Sequence, residues 1–158
     1  MRFLACCLLL ITLCACANES AQQREDLSAF ADRWDATTKL VTDQVTGILK
    51  ALEEAQQLSE ALDTLSGTVP PALKEDLQRQ IKSLGQASEA SFEFVNKWQE
   101  GAARLNTLKE KKPKHISAAS LLELQQLEQQ GREQAQEWQT QLEAANTTFE
   151  QAKQQLAN

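Results

Sequence analysis

Apolar side chains recur at alternating intervals of three and four residues through three long stretches of this chain, and that rhythm leaves few folds open. In the first stretch Leu27, Ala31, Trp34, Val41, Val45, Ile48, Leu52, Ala55 and Leu62 keep it, with polar Thr38 interrupting. In the second, Leu77, Ile81, Leu84, Val95, Trp98, Ala102 and Leu105 do so across a polar gap at Ser88 and Ser91. Ala135, Trp138, Leu142, Ala145, Phe149, Ala152 and Leu156 form the third, whose register is less regular before Gly131. On a helix, such a repeat draws a nearly straight apolar stripe that other helices must cover. The chemistry of the chain points the same way. Ala, Leu, Gln, Glu and Lys dominate, Tyr is absent and only 5 of 158 residues are Gly. Straight-chain residues lose little rotamer freedom in a helix, whereas a sandwich of this length needs many turn formers.

Two breaks divide the stretches. At Ser66-Gly67-Thr68-Val69-Pro70-Pro71, Gly67 suits a left-handed helix end and Pro71 the first turn of the next helix. At Lys109-Glu110-Lys111-Lys112-Pro113-Lys114-His115, the lysines complement the dipole of the preceding helix and Pro113 stops it. Ser20 with Gln23 and Ser120 with Glu123 match the capping-box pattern and are expected near helix starts. The expected helices therefore span roughly 20–66, 71–110 and 117–156. Short connections make neighbours antiparallel. The fold predicted is all-α: an elongated antiparallel three-helix bundle over residues 27–158, with coiled-coil-like packing, loosely similar to spectrin-type repeats in architecture. The competing arrangement, an intermolecular coiled coil of extended chains, is opposed by Pro70, Pro71 and Pro113.

The first sixteen residues, MRFLACCLLLITLCAC, follow a different logic. Arg2 precedes a short apolar run, Phe3 to Leu13, that is well below the roughly 18 residues of a spanning helix and reads as an export signal. Leu13-Cys14-Ala15-Cys16 resembles the lipobox of bacterial lipoproteins: an aliphatic residue, a small residue, then cysteine. The resemblance covers the signal region alone, and Cys14 is atypical within it. It implies a signal peptide over 1–15, diacylglycerol and a further acyl chain such as palmitate on Cys16, and a tether or helix start over 16–26. It also implies that Ala17, in place of the Asp that retains such proteins at the inner membrane, directs sorting to the outer membrane of a Gram-negative cell. All four cysteines, Cys6, Cys7, Cys14 and Cys16, precede residue 17, so the body of the chain can form no internal disulfide. Ala15-Cys16-Ala17 also fits ordinary signal-peptidase cleavage after Ala17, and a retained apolar anchor is a third possibility.

The net charge of -6, without a recurring basic face, speaks against nucleic acid and against electrostatic capture by anionic lipid; any membrane attachment rests on the Cys16 lipid. His115 is the only histidine, with no second His or thiol in the body to build a metal site, so no metal or other cofactor is expected. The Glu-x-x-His pattern of di-iron bundles is missing, no Ser or Thr stands beside a base, and the carboxylates, Glu53, Glu54 and Glu123 among them, read as solvated helix faces. A non-enzymatic domain is expected. Trp34, Trp98 and Trp138 fall one per seam; counting from the two breaks puts them at different heights, as core anchors rather than one cage. Phe92 and Phe94 flank Val95 on opposite sides and form a wide apolar face with Trp98, making Phe92 and Phe94 the candidate contact with an envelope protein partner. The alternative is a carrier holding a small apolar ligand between the helices at the Ser88–Ser91 gap. The Gln-rich third helix reads as an uncharged solvent face or a polar helix contact, and Gly47, Gly85, Gly101 and Gly131 inside helices permit either close crossing or bending.

Overall fold

The computed structural model describes residues 2–65, 69–111 and 116–157; for residues 2–21 it describes the backbone alone. Three helices account for nearly all of it: α1 (Arg2–Thr64), α2 (Pro71–Glu110) and α3 (Ala118–Ala157). No strand occurs among the described residues. The 40-residue helices α2 and α3 each extend about 60 Å at 1.5 Å per residue. The connecting residues Gly67, Pro113 and His115 lie outside the described residues.

Helix ends follow local chemistry in part. Pro70 is the N-cap of α2 and Pro71 opens its first turn, where a missing N–H costs nothing. The Pro70 carbonyl accepts from Leu73 N–H at 3.1 Å, and at the other end Lys111 N–H donates to Leu108 O. Neither capping box acts as one. Helix α1 already runs from Arg2, so Ser20 is an interior position rather than a cap. Helix α3 starts at Ala118, which places Ser120 inside its first turn, and it is the Ser117 carbonyl that accepts from Leu121 N–H. A capping box recognises a spacing, and that spacing also occurs by chance in a chain rich in Gln and Glu.

The core is continuous along the bundle. Near the α1–α2 connection, Leu58 and Leu62 pack with Leu77, Leu84, Phe149 and Ala152. The middle holds Val41, Ile48, Ala87, Ala135 and Trp138. Toward the α2–α3 connection, Leu27, Phe30 and Trp34 meet Trp98, Leu105, Leu108 and Leu124. The end of α1 therefore meets the start of α2, and the end of α2 meets the start of α3. This is an up-down-up bundle in which α1 and α3 run parallel. Each fully buried Leu or Ile contributes about 1.5–3 kcal/mol through removal of apolar surface from water. Across the α1–α2 connection Lys74 pairs with Asp63 at 2.8 Å, but both ends are exposed, so the pair contributes at most about 1 kcal/mol. Packing, not charge, fixes the fold.

The glycines divide by surroundings. A Cβ on Gly85 would meet nothing within 4 Å, so there the residue only weakens α2. Gly85→Ala is expected to raise stability by about 0.5–1 kcal/mol, read as a higher midpoint in denaturant or thermal unfolding. At Gly101 and Gly131 the added carbon would lie 2.6 Å from the Trp34 ring and 2.5 Å from the Trp98 ring. These two are seats for indole rings, which settles their role as close approach rather than bending.

Candidate interaction site

Phe30, Trp34, Trp98, Phe94 and Trp138 form one run through the bundle, and this corrects the expectation that the three tryptophans lie at different heights, since two of them stack. Trp34 of α1 and Trp98 of α2 stack with centroids 4.0 Å apart and planes 17° from parallel. Phe30 meets Trp34 edge-on at 6.1 Å. Phe94 lies 5.8 Å from Trp98 and 5.9 Å from Trp138, edge-on to the latter, so it links the stacked pair to α3. The run is core, with each ring packed on the next. Thr38, the polar break in the first seam, is what lets Trp98 be buried: the Trp98 indole N–H donates to Thr38 Oγ1 at 2.9 Å, and that hydroxyl donates to Trp34 O at 2.8 Å.

The two candidate phenylalanines part company here. Phe94 is half-buried between Trp98 and Trp138. Phe92 is 57 % exposed and is the most exposed large apolar side chain among the described residues. Val95, between them in the sequence, is half-buried. Burial of Phe94 by α3 leaves Phe92 as the free apolar element of this segment.

The Ser88–Ser91 gap is closed. Ser91 has no accessible surface, and its hydroxyl donates to the Ser88 carbonyl at 2.7 Å. A water-sized sphere cannot reach Ser91, so the gap holds no ligand-sized space at that residue.

One carboxylate departs from the solvated pattern. Glu54 pairs at the surface with Lys153 at 2.9 Å, and Glu123 faces Arg104 at 3.5 Å. Glu128 of α3 is only 3 % exposed. Thr37 Oγ1 of α1 donates to its Oε1 at 2.7 Å, and Arg132 Nη2 donates to its Oε2 at 2.9 Å. The trio lies on a shallow, open concavity of about 280 Å³ between α1 and α3, lined by Arg33, Ala36, Thr37, Leu40, Glu128 and Arg132. Sequence reasoning missed Glu128 because one Glu among several in a Gln-rich helix looks solvated; its signal was its position, three residues before Gly131 and seven before Ala135, in step with the seam.

Among the described residues no group of three or more His, Cys, Asp or Glu converges in a way that could hold a metal ion, and no helix is long and apolar enough to cross a membrane. The Cys16 side chain lies outside the described residues. No known protein family, curated protein or solved structure matches the chain.

Proposed function

We propose that this is a bacterial envelope lipoprotein, anchored to the membrane through lipid on Cys16, whose non-enzymatic helical bundle is a structural or protein-interaction domain. The observation that carries this reading is Leu13-Cys14-Ala15-Cys16 at the end of a short apolar run, followed by a body without cysteine. With Ala17 next to the acylated residue, the destination is the outer membrane, facing the periplasm, in a Gram-negative host. The first core residue of α1 with a described side chain is Leu27, eleven positions after Cys16, so the bundle stands close to the lipid surface. Two acyl signals give stable attachment where a single chain gives marginal binding.

Cys16→Ser is the direct test. The expected result is loss of acyl incorporation and release of the protein into the soluble fraction; continued membrane attachment of this variant would falsify the anchor. The interaction half of the reading points to Phe92, an exposed aromatic with no partner in this chain's core. Phe92→Ser is expected to change folding stability by no more than about 0.5 kcal/mol, as substitutions away from the core do. In intact cells it is expected to abolish cross-linking of the α2 surface to a recurring envelope protein. A large stability loss, or unchanged cross-links, would remove Phe92 from the contact.

A further inference from the structure

Glu128 poses a physical question. A carboxylate this deeply buried loses several kcal/mol of hydration, and an apolar side chain of similar volume commonly serves stability as well or better. Its two hydrogen bonds show what it does in this fold. Thr37 of α1 fixes one oxygen, and the other holds Nη2 of Arg132, a side chain that is half exposed. The same Nη2 also donates to Gln129 Oε1 at 3.1 Å. Arg132 is thereby oriented on the surface, and its other N–H groups have no protein acceptor among the described residues. Across the groove, the Arg33 guanidinium sits 5.5 Å over the Phe30 ring, and no carboxylate among the described residues lies within ion-pair distance of it. Ala36 and Leu40 line the same concavity as the two arginines, and Leu40 is 42 % exposed. Glu128 already offsets one of the two guanidinium groups, which leaves one excess positive charge, with N–H donors of both arginines turned outward beside an exposed leucine; such a concavity is complementary to an acidic, partly apolar surface.

We propose that the α1–α3 groove at Arg33, Leu40 and Arg132 docks a partner-protein segment carrying an Asp or Glu next to an apolar side chain. The carboxylate meets the guanidinium groups, and the apolar neighbour covers Leu40. Glu128 is a positioning residue that holds Arg132 ready. The inference rests on the reading of the bundle as a lipid-anchored interaction domain. That reading also disfavours lipid phosphate as the occupant, because Arg33 lies seventeen residues along the helix from Cys16, roughly 25 Å from the anchor.

The test places a photoreactive amino acid at Ala36 in the full-length protein in cells and identifies the cross-linked segment by mass spectrometry. The expected adduct is one recurring protein segment containing Asp or Glu, with yield falling at least tenfold in the exposed-site variant Arg33→Gln/Arg132→Gln. Thr37→Val/Glu128→Leu is expected to lower the yield similarly while its unfolding midpoint is unchanged or raised. An adduct unchanged in the arginine variant overturns the proposal, as does a segment without an acid or an adduct to lipid alone. An adduct unchanged in a folded Thr37→Val/Glu128→Leu protein removes the role of Glu128. If a probe at Phe92 captures a protein and the probe at Ala36 does not, this groove alone is wrong; if neither captures one, the interaction reading fails with it.

Discussion

Trp98→Ala should cost about 3–5 kcal/mol, the range for deleting a large aromatic from a packed core. The loss is at the high end for three local reasons. Trp98 stacks on Trp34, touches Phe94, and fills the hollow left by Gly131 on the opposite helix. Its removal leaves a void bordered by α1, α2 and α3 together, which no single side chain can refill. Thr38 Oγ1 also loses the indole donor, though its own bond to the Trp34 carbonyl survives. Thermal unfolding followed by circular dichroism is expected to show a midpoint lower by roughly 10 °C or more. A shift of only one or two degrees would mean that the stacked pair is not part of the folded core.

Gly131→Ala is expected to lower stability by about 1–2 kcal/mol, in spite of the helix-propensity gain of about 1 kcal/mol that alanine brings. The added carbon would sit 2.5 Å from one Trp98 ring atom and 3.1 Å from Thr37 Cγ2, and a stacked indole has little freedom to withdraw. The sign should depend on that ring. In a Trp98→Leu background the same Gly131→Ala change is expected to stabilise, because the obstruction is gone and only propensity remains. Denaturant unfolding of the four proteins gives the coupling directly. Additive effects across the cycle would show that Gly131 is not a seat for Trp98.

The fold was legible because its determinants are periodic. Seams through Leu27–Leu62, Leu77–Leu105 and Ala135–Leu156 identify helices that must cover one another, and Pro70 and Pro71 mark a turn wherever they fall. What escaped the pattern are positions where the seam is occupied by something other than a large apolar residue. Buried Glu128 and Gly131 continue the rhythm of α3 through the stretch that looked irregular, and buried Ser88 and Ser91 do so in α2. A hydropathy pattern registers such residues as gaps, although Ser91 is closed by packing and Glu128 by two hydrogen bonds. The tryptophan contacts escaped for another reason: Trp34 seats against Gly101 and Trp98 against Gly131, each on another helix, and that complementarity is a pairwise property invisible in any one helix. For the candidate contacts, the sequence singled out Phe92 and Phe94 together, and only the position of α3 separates the buried ring from the exposed one. Arg33 and Arg132 carry no signature in the sequence, since their importance arises from two helices running parallel.

The unbroken file of rings has a spectroscopic meaning. Trp34, Trp98 and Trp138 are the only tryptophans, and Phe94 joins the third, in the middle of the bundle, to the stacked pair nearer the α2–α3 connection. No indole lies in the core near the α1–α2 connection, so emission from this protein is blind to fraying at that end and reports the middle of the bundle and the part toward the α2–α3 connection, while the face-to-face pair supplies a coupled near-ultraviolet signal specific to the docking of α1 on α2.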